Sequence, residues 1–323
     1  MKYEYRATCR GMGSLFFCLF LFACAGTPQS DSLISSIPAE LKKPTELTSV
    51  PFYPQKEYQC GPAALATLLD FQGKQVEIEE LISKVYIPER KGSLQLELIT
   101  AVRDYDLIPY ILVAELDAVL REVKAGRPVL VLQNLGVSWY PQWHYAVIVG
   151  YDLNEEELIL RSGTIERYRI NLFTFEHTWR RGKRWAMILL KPGELPLAGD
   201  DWRYMSAIVG FEQKNKWPLL DKAYRAGLER WSTSRELLMG YGNNLYMQGQ
   251  LAEALQQYQK VITHDPAFAA AYNNAAQVYA EQGQFEKAVS FVQKAISLGG
   301  VHIQQYRSTL KDIRRMQKEN DSE

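Results

Sequence analysis

The sequence predicts two units in series, an α+β domain over residues 48–197 and an all-α domain over residues 198–315. Three observations lead there. Between residues 50 and 196, segments of helical spacing come early and short β-branched or aromatic runs come late, which suggests helices packed on an antiparallel sheet. After Pro196 the strand-like runs stop. From Gly242 onward, small and aromatic residues recur with a period of 34 residues.

The first 24 residues are a different material. Lys2, Arg6 and Arg10 precede an apolar run from Gly13 to Ala23, about eleven residues, too short to cross a ~30 Å hydrocarbon core as a helix. The run ends in Leu21-Phe22-Ala23-Cys24, which resembles the lipobox of bacterial lipoproteins, although Phe22 is bulkier than that motif usually carries. The resemblance implies cleavage before Cys24, acylation of its sulfur, and a place in the cell envelope, lipid-anchored to the outer membrane and facing the periplasm. An uncleaved or simple secretory signal is the alternative. Residues 25–47 are rich in Ser, Pro, Thr and charge without a sustained period, and read as a flexible tether.

Within the α+β unit, residues 62–71 form a helix with Leu65, Leu68 and Leu69 on one face and Gly73 as its stop. Ile78, Leu81, Ile82 and Val85 keep helical spacing, as do Leu116, Val119, Leu120 and Val123, which end at Gly126. Strands are expected at 128–132, 145–151, 158–161 and 185–190. In the all-α unit, Gly242, Leu245, Gly249, Ala254 and Tyr258 align with Ala276, Tyr279, Gly283, Ala288 and Val292. Period and residue types resemble the tetratricopeptide repeat, which implies stacked helix pairs that hold a protein partner. Residues 204–231 read as a degenerate earlier copy through Tyr204, Ala207, Tyr224 and Leu228, and residues 316–323 as a charged tail.

Thirty-seven basic residues balance thirty-seven acidic ones, and no basic stripe marks a nucleic-acid partner. With no G-x-x-x-x-G-K-[ST] sequence, ATP is not implied, and neither another cofactor nor a metal is expected. Cysteine usage says more. Cys9 and Cys18 leave with the signal and Cys24 takes lipid, so Cys60 is the one free thiol of the mature chain. Such a thiol is either inert and buried or kept for its chemistry.

Cys60 stands in Gln59-Cys60-Gly61-Pro62, at the start of the first helix, where unpaired N–H groups and the macrodipole favour thiolate. Its base must come from elsewhere in the fold. His264 and His302 lie in the repeats, and His177 in an amphipathic segment. His144 opens an apolar strand, an unusual place for a polar ring without a polar partner. Trp139, Tyr140, Trp143 and Tyr145 surround it and either line a peptide groove or belong to the core.

Gln55 and Cys60-Gly61-Pro62, followed later by His144-Tyr145-Ala146-Val147 and Gly150-Tyr151-Asp152, resemble the papain-like peptidases, in particular the bacteriocin-processing, or double-glycine, cysteine peptidase family. The resemblance covers roughly residues 50–192. It implies Cys60 as nucleophile, His144 as general base and then acid, and Gln55 with the Cys60 N–H as oxyanion donors. The family's orienting Asp is absent: the next strand ends Arg161-Ser162-Gly163, so Ser162 or a neighbour occupies that position, or Asp152 substitutes. The chain is thus expected to be a cysteine peptidase acting on a peptide or protein. A non-catalytic adaptor of the same fold and a hydrolase of cell-wall amides are the rival readings.

Overall fold

Alternation within the apolar runs decides the architecture. A computed structural model of the chain describes residues 26–56 and 58–322, so the signal segment and Cys24 lie outside the described residues. From the amino end, helix α1 (Pro28–Ser35) and strand β1 (Thr45–Glu46) precede three helices: α2 (Cys60–Phe71), α3 (Ile78–Val85) and α4 (Gln95–Asp104). Then come β2 (Ile108–Ile111), α5 (Leu116–Lys124), β3 (Val129–Asn134), β4 (Trp143–Asp152), β5 (Glu157–Ser162), β6 (Ile165–Asn171), α6 (Leu172–Arg181) and β7 (Ala186–Leu190). The strands form one antiparallel sheet in the order β2-β7-β3-β4-β5-β6, and β1 pairs with the end of β4.

Because side chains alternate across a strand, the central strands feed two cores. Leu130, Leu132, Tyr145, Val147, Val149, Met187 and Leu189 pack with α2, α3 and α4 on one face. Val129, Val131, Ala146, Ile148, Ile188 and Leu190 pack with α1, α5 and α6 on the other. Both faces are therefore covered, which is why β3 and β7 read as unbroken apolar runs. Pro109 is tolerated in β2 because that strand lies at the sheet edge.

The expected tether is the main correction. Residues 26–47 are bound to the domain. The buried Glu176 carboxylate, on α6, accepts the backbone N–H groups of Gln29 and Ser30 and so caps the first turn of α1. Gln29 in turn accepts the Leu116 N–H at the start of α5. Leu33 and Leu41 are buried, and Thr45 and Glu46 pair with Tyr151 and Gly150. The composition misleads because this segment is held mainly by polar contacts to distant residues, which leave no periodic apolar signature.

The second unit contains α7 (Asp201–Ile208), α8 (Trp217–Arg230), α9 (Arg235–Met247), α10 (Leu251–His264), α11 (Ala269–Glu281), α12 (Phe285–Leu298) and α13 (Ile303–Ser322). Helices α9 with α10, and α11 with α12, are the two clear repeats, turning at Gly249 (φ 73°) and Gly283 (φ 72°), a backbone region that favours glycine. Residues 204–231, read from the sequence as a degenerate copy, fall in α7 and α8 and the turn between them, where Tyr204, Ala207 and Tyr224 are buried and Leu228 is partly so. The charged tail is no separate segment: α13 runs on to Ser322, with Arg315 paired to Asp312 at 3.3 Å.

Gly242 lets α9 and α10 meet, since a Cβ there would stand 2.4 Å from the Tyr258 ring. Gly242→Ala is expected to destabilise the repeats by about 1–3 kcal/mol through overpacking. Thermal melting followed by circular dichroism checks this, and an unchanged midpoint would refute the close-packing argument.

Candidate active site

Helix α2 runs along β4 and presents Cys60 at its first turn. Its N-cap, Gln59, makes no side-chain cap, and Pro62 is the third helical residue, still within the turn whose N–H groups lack helical partners. The backbone amides of Tyr145, Gly61 and Cys60 each favour the charged form of the sulfur. They do not prevail. Burial is the larger effect and pushes the Cys60 thiol above its ordinary range, so the helix terminus does not by itself produce a thiolate as the sequence suggested.

Gly61 is required for this approach. A Cβ on it would lie 2.5 Å from Ser93 Oγ and 3.6 Å from the Tyr145 ring. Tyr145 itself is core, in edge contact with Trp185, and its hydroxyl donates to the Ser93 carbonyl. Of the four aromatics around His144, only Tyr145 is buried; Trp139, Tyr140 and Trp143 are exposed.

His144 enters β4 opposite Gln133 of β3, and its Nε2 lies 2.8 Å from Ser162 Oγ, at the end of β5. With Nε2 engaged, Nδ1 is the ring nitrogen left for another group. Burial holds the imidazole below its ordinary pKa. Among the described residues no carboxylate substitutes for the serine. Asp152 is at the other end of β4, where it accepts the N–H groups of Asn154 and Glu155 in its own turn. His177 lies beside Arg180 on α6, 3.3 Å from it.

Gln55 joins Cys60, Tyr145, Ser162 and Gly163 in one narrow cleft of about 10 Å³, close to the volume of one water. Its backbone N–H donates to the Gly163 carbonyl at 3.1 Å, which ties its segment to the β5–β6 turn. Arg161 makes the same connection more strongly. Buried, it donates through Nε and Nη2 to the Val50 carbonyl at 3.2 and 3.0 Å, and through Nη1 to the Glu166 carbonyl at 2.8 Å. This positioning residue escaped the sequence reading; a charged side chain ending the apolar run Leu158-Ile159-Leu160 was the available signal.

Among the described residues, no three His, Cys, Asp or Glu side chains converge in a way that could hold a metal ion. The arrangement offers a thiol, an imidazole oriented by a hydroxyl, and amide donors around a small space, which is the equipment of acyl transfer.

Comparisons with known proteins bear on the fold that holds these residues. Residues 47–187 match the model of the Peptidase_C39 like family. They form a C39-like peptidase domain. Behind the C39-like domain, residues 242–283 match a TPR repeat and residues 269–298 a tetratricopeptide repeat. The stress-induced phosphoprotein 1 of Caenorhabditis elegans is 36% identical over 84 residues, 25% of this chain and 26% of that protein, so the chain spans about a quarter of this relative. Among solved structures, a protein from Bacillus anthracis described as a C39-like peptidase is 18% identical, covering 46% of this chain and 98% of its own, with a TM-score of 0.39. The TPR2B domain of yeast Sti1, in complex with pHsp70, is also 18% identical, covering 36% and 96%, with a TM-score of 0.34.

Proposed function

We propose that the chain is a lipid-anchored, extracytoplasmic cysteine peptidase whose repeats recruit its substrate or a partner protein. The observation that carries the catalytic reading is the 2.8 Å contact of His144 Nε2 with Ser162 Oγ, which leaves Nδ1 for the Cys60 sulfur, whose charged form the amide of the next residue, Tyr145, favours. In the first step the Cys60 sulfur bonds to an amide carbonyl carbon while its proton passes to His144 Nδ1. The Gln55 side chain and the Cys60 N–H take the developing oxyanion. The C–N bond breaks as His144 gives that proton to the leaving amine. Water, deprotonated by His144, then splits the thioester and releases the acid.

Both burial effects favour the uncharged pair, thiol and imidazole, at rest. The proton then moves with the attack. Alkylation of Cys60 by iodoacetamide is accordingly expected to titrate above the ~8.5 of a free thiol. Rapid, complete alkylation at pH 6 would show a resting ion pair and overturn this account. Hydrolysis itself is tested on a mixture of peptides, with cleavage lost in Cys60→Ala; cleavage that survives this substitution refutes the proposal.

The second reading is an adaptor of the same fold with little or no turnover, binding peptides or proteins. It is favoured by the water-sized cleft and by a histidine whose orienting partner carries no charge. Entry of a substrate requires residues 53–56 to move, and a depression of about 210 Å³ on their far side, against Ile78 and Ile82, gives them room. A Cys60 that alkylates normally while no peptide is cut supports the adaptor.

The envelope anchor rests on the sequence before Cys24. Among the described residues no helix is long and apolar enough to cross a membrane. Wild-type protein is expected to incorporate labelled palmitate and Cys24→Ala to lose it; absence of label in the wild type ends the anchor reading.

A further inference from the structure

We propose that the corner formed by Gly26, the end of α6 and the β3–β4 loop lies flat on an anionic lipid surface. The inference rests on acylation of Cys24, and begins from the tether that the fold removes. The Gly26 carbonyl accepts Arg180 Nη1 at 2.9 Å, and α1 begins two residues later under the Glu176 cap. Only Ala25 separates Gly26 from Cys24, so the acylated sulfur has at most ~7 Å of main chain as slack. The domain is not lifted off the bilayer. Whatever surrounds Gly26 meets the headgroups.

What surrounds it suits them. Arg180, Arg181, Lys183 and Arg184 fall within five positions of a chain whose net charge is zero. The nearest acid on that helix, Glu176, is buried beneath α1 and paired with Arg184 at 3.8 Å. Arg181 Nε donates to the Asn134 carbonyl at 3.1 Å and so links this basic end to the β3–β4 loop. That loop exposes Trp139 (86%), Tyr140 (64%) and Trp143 (53%), with Leu135 and Val137 half exposed, and residues 134–144 contain no acid. Amphipathic rings beside a basic cluster are the composition that settles at a membrane interface. Since His144 follows Trp143, this orientation sets the open end of β4 toward the bilayer.

The test uses the protein purified from membranes with its own acyl groups, placed on phosphatidylcholine–phosphatidylglycerol vesicles with and without brominated chains. Flotation reports the anchor, and tryptophan quenching by bromine reports the face. Wild type is expected to float and to be quenched. The Trp139→Ser, Trp143→Ser double variant should float equally and lose most of the quenching, and Lys183→Glu should weaken it. Flotation without quenching, or equal quenching in the double variant, overturns the orientation while sparing the anchor. Failure to float ends the anchor reading, and the orientation with it.

Discussion

Replacing His144 with alanine will lower kcat on a peptide substrate by about 10²–10⁴-fold, the usual worth of a positioned general base, with little change in KM. Neither of the other candidates stands in for the ring: Asp152 is turned to its own loop and His177 sits beside Arg180 on α6. Ser162→Ala will cost less, because the hydroxyl orients Nε2 without supplying or taking the catalytic proton. Ser162→Asp places a carboxylate where the hydroxyl was, which raises the imidazole pKa against the lowering by burial, and moves the acid limb of the pH–rate profile to higher pH. Equal losses in Ser162→Ala and His144→Ala would mean that the serine is itself part of the proton path.

The same two shifts give the site a stability window. His144 has a lowered pKa in the fold, so its contribution is complete above ~6.5 and is lost as pH falls toward the folded value. Cys60 has a raised one, so its contribution is complete below ~8.5 and is lost as pH rises through the folded value.

A fragment ending at Leu197 is expected not to fold stably, although the change of pattern at Pro196 suggests a clean boundary. Helix α7 lies on β2, and Tyr204, Ile208 and Phe211 share one buried cluster with Tyr110, Ile188 and Leu190 of the sheet. Arg230, on α8, donates to the carbonyls of Pro196 and Leu197 at 2.6 and 3.1 Å. Cutting there uncovers the outer face of the sheet. In the full chain, Tyr204→Ala alone should cost about 3–5 kcal/mol, a large part of the 5–15 that holds a domain folded. Calorimetry of the full chain should therefore give one cooperative transition, which Tyr204→Ala lowers. Two separate transitions, or a 26–197 fragment that melts like the intact protein, would show independent domains.

The difference between the legible and the hidden parts of this chain has a physical cause. Strands β3, β4 and β7 could be read because both faces are covered and their central positions are apolar. Strand β6 could not: of Ile165–Asn171 only Ile170 is buried, so the pattern resembles a polar loop. The repeats were legible because each helix pair meets the same neighbours at the same spacing. At the site, Cys60 and His144 drew notice as polar groups at the mouths of apolar elements, and Ser162 by its place at the end of the following strand. Arg161 was hidden, since a buried cation satisfied wholly by carbonyl oxygens leaves no partner in the sequence.

The last strand of the sheet is not at its edge. Strand β7 lies between β2 and β3, so the sheet stays split until the ribosome has made Leu190, about 130 residues after the nucleophile. At about 5–20 residues per second, a nascent chain carries Cys60 for roughly 6–26 s before a complete sheet exists beneath its helix. During that interval the thiol belongs to an unpacked helix. Any reactivity that depends on the pair therefore stays silent until synthesis has passed the end of the C39-like domain.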